Sequence, residues 1–219
     1  MGERVKRGGI KSLGAHCYAW ITRVSPAVRD FHELVASQVV GTLNSGRVLD
    51  VGTGPGYLPI KIAERLPSVK VIGVDVSEDM IRIARRNVEN AHLSNQIELI
   101  VEDGAEMSIP PESIDLAIST ASLHHWTRPI QVINEIHRVL KEGREAWIYD
   151  VLRDATQETI LYLRGRYGLL APILYRIVKS HSSVSIEYVE EIFKQPENRF
   201  PSYTIERLDL PILKARLRK

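Results

Sequence analysis

The sequence alternates between short apolar runs and amphipathic helical patterns, and this alternation constrains the fold more than any other feature. The apolar runs are VLDV, VKVIGVDV, IELIV, IDLAIS and AWIYDV. Each is nearly continuous, which is typical of parallel strands covered on both faces. Since such strands need right-handed crossovers, the pattern predicts an α/β fold with an open, doubly wound, Rossmann-like sheet.

The C-terminal part of the chain predicts an elaboration of this sheet. Residues 155–195 have a mainly helical pattern, which we interpret as a helical insertion. The end, YTIERLDLPILKARLRK, predicts two strands with a turn near 209–211, which would add an antiparallel hairpin to a mostly parallel, seven-stranded sheet. We therefore expect an N-terminal arm and helix over 1–45 and one domain over 46–219.

Local signals predict where several helices begin and end. A helical pattern runs from 26 to 43. Ser77 is expected to cap a helix that has acidic residues in its first turn, and Thr127 is expected to cap another that Gly143 ends.

Composition excludes some classes of protein and favours an intracellular setting. The single cysteine, Cys17, rules out an internal disulfide and a multi-cysteine metal site, so we expect no metal and a reducing cytoplasm. The basic segment 1–14 lacks the apolar core of a signal peptide, and no run is long enough to cross a bilayer. The net charge of +2 favours no particular partner.

A glycine-rich turn follows the first predicted strand in RVLDVGTGPGYL. Gly52, Gly54 and Gly56 allow the backbone to approach a ligand closely. Their spacing is G-x-G-x-G, whereas dinucleotide sites have G-x-G-x-x-G, and Tyr57 stands where the third glycine would fall. A Walker phosphate loop would end in Gly-Lys-Ser/Thr, which is absent. The turn thus disfavours both phosphate-binding alternatives.

Acidic residues end the first three predicted strands, at Asp50, Asp75 and Asp103. A carboxylate beside a pyrophosphate would repel it, whereas a carboxylate in a partly buried crevice attracts a cation strongly. Asp75 is placed to accept the hydroxyls of a ribose. S-adenosylmethionine carries a ribose, an adenine amino group, an ammonium and a sulfonium, and it contains no phosphate.

The segment from about 47 to 150 resembles the class I S-adenosylmethionine-dependent methyltransferases, of the small-molecule type related to ubiquinone and menaquinone biosynthesis methylases. The resemblance lies in four motifs in the family's order: VLDVGTGPG, VIGVDVSEDMIRIARRN, VEDGAEM, and IDLAISTASLHHW followed by INEIHRVLKEG. One departure is Lys-Glu-Gly-Arg at 141–144, where family members commonly have Pro-Gly-Gly.

The resemblance implies a cofactor site for S-adenosyl-L-methionine, with S-adenosyl-L-homocysteine as product. Asp50 would lie near the methionine end, Asp75 would hold the ribose hydroxyls, and Asp103 would accept from the adenine amino group. The other residues that it assigns to the backbone wall, the adenine surroundings and the floor are Gly52, Thr53, Gly54, Gly56, Val76, Met80, Gly104, Ala105 and Ser119.

Two histidines, His124 and His125, follow the fourth predicted strand and are candidate catalytic bases. An imidazole has the pKa range to take a proton from a phenol, enol or hydroxyl acceptor. The alternative is that one histidine packs against Trp126 and the other is solvated. Asp150, at the end of the fifth strand, is a further candidate to face the acceptor, and we expect His137 to be structural.

Several functional alternatives stay open. The favoured acceptor is a small molecule, with apolar ones among the candidates, and nucleic acid ranks lower because no Asn-Pro-Pro-Tyr motif follows the fourth strand. Tyr18 and Trp20 could form a lid, and 159–179 could be a helical cover, an acceptor cap or a membrane-surface contact. An RNA methyltransferase, a cofactor-binding protein without turnover and a dinucleotide oxidoreductase are the competing classes. The acceptor atom and the oligomeric state stay undetermined.

Overall fold

The computed structural model describes Ala19, Thr22–Leu208 and Leu210–Lys219. The basic arm at 1–14 and the two proposed lid residues, Tyr18 and Trp20, lie outside the described residues.

A seven-stranded sheet forms the centre of the molecule, with strand order β3-β2-β1-β4-β5-β7-β6. The first five strands pair in parallel, whereas β7 runs antiparallel to both β5 and β6. The strands are β1 (Gly46–Val51), β2 (Val69–Asp75), β3 (Ile97–Val101), β4 (Ile114–Thr120), β5 (Leu140–Val151), β6 (Ser202–Arg207) and β7 (Ile212–Arg218). The predicted fold class, with its C-terminal antiparallel hairpin, is confirmed.

Seven α-helices with both ends among the described residues surround this sheet, and a short 3-10 helix, Leu123–His125, follows β4. The α-helices are α1 (Pro26–Val40), α2 (Tyr57–Arg65), α3 (Glu78–Asn90), α4 (Pro129–Val139), α5 (Gln157–Tyr167), α6 (Ala171–His181) and α7 (Ile186–Phe193). The helical pattern predicted for 155–195 corresponds to α5, α6 and α7.

The sheet has a hydrophobic core on each face, because its central strands carry apolar side chains on both faces. One core joins the sheet to α1, α2, α5 and α6, with Val48, Ile118 and Tyr149 pointing into it. The other joins the sheet to α4 and α7, with Leu49 and Ile148 pointing into it. This three-layer arrangement is the doubly wound architecture that continuous apolar strands require.

Helix boundaries agree with some local signals and contradict two. Ser77 caps α3 as predicted, since its Oγ accepts a hydrogen bond from the backbone N–H of Met80. The predicted Thr127 cap is wrong, because α4 begins at Pro129 and Arg128 occupies the N-cap without a side-chain hydrogen bond. Proline favours the first helical position, and it thereby sets the cap one residue later than predicted.

The predicted end of α4 at Gly143 is also wrong. The helix stops at Val139, and β5 begins at the next residue. The register between β4 and β5 shifts between the Ile114–Leu140 pair and the Leu116–Glu145 pair, so 141–144 bulge out of the ladder. Gly143, with φ of 71°, occupies this bulge, and the Lys141 ammonium donates to the Asp115 carboxylate of β4. The Lys-Glu-Gly-Arg segment is therefore a bulge within strand β5, and it does not end a helix.

Candidate functional site

The carboxyl ends of the parallel strands bring the predicted site residues to one edge of the sheet. Strand order reverses between β1 and β4, because β2 and β3 extend to one side of β1 whereas β4 and β5 extend to the other. Ligands of open α/β sheets bind outside the strand ends at such a reversal. Asp50 and Asp75 lie at the ends of β1 and β2, on one side of the reversal, and Ser119 lies near the end of β4.

The glycine turn between β1 and α2 needs its glycines for different reasons. Gly52 has φ of 78°, and a Cβ added there would lie 2.1 Å from Ser122 Oγ, so no side chain fits. Gly54 has φ of 53°, but a Cβ there would meet no atom within 4 Å. At Gly52 the turn is thus closely packed against Ser122, in the loop that follows β4. At Gly54 it is open, and a ligand has space to approach the backbone.

Asp50 is the most unusual polar group of this edge. Its side chain is buried, and neither carboxylate oxygen has a hydrogen-bond partner among the described residues. Burial raises the pKa of Asp50 to about 7, the Asp75 charge adds to the increase, and the nearby Thr53 hydroxyl opposes it. No hydrogen bond of ordinary geometry joins Thr53 Oγ1 to the carboxylate. Since buried polar groups are costly without partners, Asp50 is suited to a ligand that brings hydrogen-bond donors or positive charge.

Asp75 is held firmly in place by the backbone around it. One carboxylate oxygen accepts a hydrogen bond from the Gly54 N–H at 2.9 Å, and the other accepts from the Ser77 N–H at 2.9 Å. Burial raises the pKa of Asp75, and these two backbone donors oppose the increase. Each oxygen keeps a second lone pair. The carboxylate is therefore oriented beside the glycine turn and retains acceptors for two hydroxyl groups.

The loop after β3 carries the third acidic strand end in an ion pair. Asp103 is exposed, with one oxygen accepting from the Ala105 N–H at 2.9 Å and the other from Arg128 Nη2 at 2.8 Å. A Cβ on Gly104 would lie 2.9 Å from Val51 Cγ1, so packing requires glycine there. Arg128 thus joins the group that was predicted to contact the adenine.

The other predicted cofactor residues occupy three kinds of position. Ser119 is fully buried and donates to the Val51 carbonyl at 2.8 Å, which links β4 to β1. Val76 is half-buried after β2, and Met80 is buried in the first turn of α3. Gly56 is the N-cap of α2, where a Cβ would lie 3.0 Å from Ala84 Cβ of α3.

His124 and Asp150 form a buried pair at the carboxyl ends of β4 and β5. His124 Nδ1 lies 2.8 and 3.0 Å from the two carboxylate oxygens of Asp150. Asp150 also accepts from the backbone N–H groups of His124 and Val151, at 3.1 and 2.7 Å. Because a carboxylate only accepts, this hydrogen bond places a proton on Nδ1, and Nε2 is the ring nitrogen left outside the pair. This is the orienting arrangement of a general base.

The neighbouring histidines differ from His124. His125 is exposed, and its ring centroid lies 4.0 Å from that of His124. Trp126 is held separately, since its Nε1 donates to Ser122 Oγ at 3.0 Å. His137 lies edge-on against Phe200, with centroids 5.0 Å apart.

Sequence reasoning missed several residues that shape this edge. Ser122 closes the space over Gly52, and Arg128 pairs with Asp103. Gly73 in β2 makes room for Thr53, because a Cβ there would lie 2.8 Å from Thr53 Oγ1. A glycine inside an apolar strand is the signal that could have identified this close approach. Asp150 was a candidate to face the acceptor, but its contact is with His124.

A cavity of about 400 Å³ lies beyond the end of β5, between α5 and the β6–β7 hairpin. Apolar and polar side chains line it together, among them Leu152, Tyr162, Arg207, Leu208 and Leu210. Leu152 lies two residues after Asp150, so the cavity and the His124–Asp150 pair share the same edge of the sheet.

The fold and these residues define a Rossmann-like α/β protein with its candidate site at the switch between β1 and β4. Residues 48–143 match the family model described as "Methyltransferase domain". This segment is therefore similar to methyltransferase domains, and the resemblance drawn from the sequence motifs is confirmed.

Curated relatives agree over the same part of the chain. It is 35% identical over 109 residues to the ubiquinone/menaquinone biosynthesis C-methyltransferase UbiE of Geobacter sp. strain M21, which covers 49% of this chain and 46% of the relative. It is 36% identical over 107 residues to the demethylmenaquinone methyltransferase of Porphyromonas gingivalis, covering 48% and 44%. The chain thus matches just under half the length of these relatives.

Solved structures agree with the fold as a whole. A Methanococcus maripaludis protein assigned to the S-adenosyl-L-methionine-dependent methyltransferases superimposes with a TM-score of 0.78 at 22% identity, covering 100% of this chain and 97% of that one. A phosphoethanolamine N-methyltransferase of Haemonchus contortus, solved with S-adenosylhomocysteine, has a TM-score of 0.64 at 24% identity, covering 89% and 43%.

The described residues offer neither a metal cluster nor a membrane-spanning helix. Within that part of the chain, no group of three or more histidine, cysteine or acidic side chains is arranged to hold a metal ion. None of its helices combines the length and apolar character that a membrane span requires.

Proposed function

We propose that this protein is an S-adenosyl-L-methionine-dependent methyltransferase that acts on a small-molecule acceptor. The similarity of 48–143 to methyltransferase domains and the relatives with methyltransferase names support the activity. A cytoplasmic location and the division into an arm and helix over 1–45 and a domain over 46–219 stay predictions.

The buried, unpartnered carboxylate of Asp50 is the observation that supports this proposal most directly. A dinucleotide would bring phosphate charge to the glycine turn, and Asp50 would repel it. The ammonium and sulfonium of S-adenosylmethionine would instead supply the positive charge that a buried carboxylate lacks. The chemistry of the site therefore fits this cofactor, whether the contact is direct or through water.

The neighbouring residues have matching roles in this proposal. Asp75 would accept the ribose hydroxyls through its remaining lone pairs, and Gly54 would leave space for the ligand to reach the backbone. The site on the adenine side would be formed by Val76, Asp103, Ala105 and Arg128. Gly52, Gly56, Gly104, Ser119 and Met80 would act by holding the backbone and packing that shape the site.

Methyl transfer needs a nucleophile held in line with the cofactor, which supplies an electrophilic methyl group when bound. We assign His124 as the base that removes the acceptor's proton at Nε2, and Asp150 as the residue that positions its ring. Asp150 holds Nδ1 protonated and would stabilise the imidazolium after proton transfer. His125 is exposed beside this ring and is placed to contact the acceptor.

The acceptor is proposed to be a small molecule with a substantial apolar part. The relatives are named as a ubiquinone/menaquinone biosynthesis C-methyltransferase and a demethylmenaquinone methyltransferase, which supports a quinone-type ring acceptor whose hydroxyl proton a base can remove. The cavity of about 400 Å³ has a size typical of small-molecule sites. Nucleic acid ranks lower, because the net charge of +2 provides no strong attraction for phosphates.

Ligand-dependent thermal unfolding tests the cofactor assignment. S-adenosylhomocysteine should raise the melting temperature in a concentration-dependent way, whereas NAD should leave it unchanged. Asp75→Ala should weaken S-adenosylhomocysteine binding by about tenfold or more, because the ribose loses a charged acceptor.

Glu191→Ala, an exposed acidic change on α7, is the matched control and should leave the affinity unchanged. Stabilisation by NAD alone, or full affinity in folded Asp75→Ala, would count against the assignment. Tight S-adenosylhomocysteine binding without methylation of phenol, enol and amine acceptors would instead indicate a binding protein without turnover.

A further inference from the structure

Helices α5 and α6 expose an unusual concentration of apolar side chains. Among the described residues, six of the ten exposed large hydrophobic side chains belong to these helices and the turn between them. We call this surface the α5–α6 face; its apolar members are Leu161, Tyr162, Leu169, Leu170, Ile173 and Leu174. Five of these are aliphatic side chains that are more than half exposed, which is uncommon for neighbouring residues on a surface that contacts only water.

The core does not account for these residues, because the helices use other side chains to pack on the sheet. Leu163 of α5 and Tyr175 of α6 are buried in the core next to α1 and the sheet. The Tyr175 hydroxyl also donates to the Leu152 carbonyl at 2.6 Å. Both helices are thus anchored through their inner sides, and the α5–α6 face is left without a partner in the described chain.

Basic residues accompany the apolar ones. Residues 157–179 contain four basic residues and one acidic residue. Arg164 and Arg176 are exposed and have no carboxylate partner among the described residues, whereas Arg166 pairs with Asp30 of α1. An excess of positive charge around exposed leucines is complementary to an anionic lipid surface. It disfavours a second copy of this chain, since a two-fold interface would bring like charges together.

We propose that the α5–α6 face docks on an anionic lipid membrane. Leu169 and Leu170, at the turn after Gly168, enter the interfacial layer, while Arg164 and Arg176 lie near the headgroups. Tyr162 belongs to this face and also lines the cavity beyond β5, so docking places the cavity next to the lipid. Delivery of an amphiphilic acceptor by this route rests on the proposed function, whereas docking itself does not.

Vesicle sedimentation tests the apolar part of the proposal. The full chain should bind vesicles of phosphatidylcholine with phosphatidylglycerol at least about tenfold more strongly than vesicles of phosphatidylcholine alone. The double variant Leu169→Ser, Leu170→Ser should bind at least about tenfold more weakly, because it lacks two leucine side chains that would move from water into the lipid on docking. Tyr188→Ser, an exposed change on α7 at the opposite face of the sheet, should bind like the unmodified chain.

Charge variants test the electrostatic part. Arg164→Gln with Arg176→Gln should weaken binding to the anionic vesicles several-fold and flatten its salt dependence. Arg82→Gln with Arg86→Gln, two exposed changes on α3, is the matched control and should have no such effect.

Other results would overturn the proposal. Absence of binding, equal binding to neutral and anionic vesicles, or full binding by the folded leucine variant would each contradict it. Concentration-dependent dimerisation that the leucine variant abolishes, without vesicle binding, would assign the face to a second copy. S-adenosylhomocysteine binding is measured in parallel, so that failure of docking and failure of the proposed function are distinguished.

Discussion

Two buried carboxylates at the same edge of the sheet have opposite environments. Asp50 and Asp150 are both about 1% exposed, at the ends of β1 and β5. Asp150 accepts hydrogen bonds from the His124 ring and from two backbone N–H groups. Asp50 has no partner for either oxygen among the described residues. Burial alone thus does not define a carboxylate's role; its partners do.

The difference suits Asp50 to binding a ligand and Asp150 to positioning another side chain. A carboxylate that already has its partners has little capacity left for a ligand, but it can hold a catalytic ring in one orientation. A carboxylate without partners keeps an unfavourable desolvation energy that a cationic ligand can offset. The proposed function therefore assigns the β1–β2 side of the switch point to the cofactor and the β4–β5 side to the acceptor.

The largest expected effect comes from breaking the His124–Asp150 pair. His124→Asn should lower kcat by about 100-fold or more, since general-base catalysis is lost. Asp150→Asn should approach this loss, because an amide no longer fixes the tautomer, and it should also shift the acidic limb of the pH–rate profile, which reports the base. Steady-state kinetics against pH and S-adenosylhomocysteine calorimetry measure both effects, and cofactor affinity should stay within about twofold.

His137→Asn provides the control for this prediction, since that ring packs on Phe200. Its kcat should stay close to that of the unmodified enzyme. A kcat that is equally low in all three variants would show that these substitutions act through folding and not through the base.

The second prediction concerns stability and pH at Asp50. Its pKa is about 7 in the folded protein against 3.8 for an unperturbed Asp, so between these two pH values the folded state retains a proton that the unfolded state releases. The stabilisation is complete below about pH 4 and is lost as pH rises to about 7, by on the order of 4 kcal/mol. Asp50→Asn should remove this loss, so the variant should be more stable than the unmodified chain at pH 8 while binding the cofactor less tightly.

Urea unfolding at pH 5 and pH 8, without ligand, measures this prediction. Asp150→Asn is the matched comparison, because it removes a partnered carboxylate and should lower stability at both pH values. If Asp50→Asn kept the same pH dependence as the unmodified chain, the unpartnered state of Asp50 would be disproved.

The smallest expected effect comes from Gly54→Ala, with Gly52→Ala in the same turn as its comparison. Gly54→Ala should cost about 1 kcal/mol of stability from its positive φ, because its methyl group enters open space. Gly52→Ala should cost more, since its methyl group overlaps Ser122 Oγ. Thermal unfolding and S-adenosylhomocysteine calorimetry measure both effects. In Gly54→Ala, the binding free energy of S-adenosylhomocysteine should fall by more than the free energy of unfolding. Equal losses of stability in both variants would contradict the open space at Gly54.

Features that depend on neighbouring residues were predictable from the sequence. The apolar runs gave the strands and their parallel pairing, and the turn glycines and acidic strand ends indicated where a ligand would bind. Ser77 predicted the start of α3 correctly, because its side chain accepts a hydrogen bond from Met80, only three residues away. Even locally, the prediction failed where Pro129 set the helix start and where the bulge at 141–144 replaced a helix end.

Contacts between distant segments were decided only by the tertiary structure. Asp150 reaches His124 across 26 positions in the chain, and Arg128 reaches Asp103 across 25. Whether a buried carboxylate has a hydrogen-bond partner depends on which loops the sheet brings together. The residues next to it in the sequence do not predict this. The sequence by itself determined which edge of the sheet carries the candidate site. Packing decided that Asp50 was left for a ligand while Asp150 was committed to a histidine.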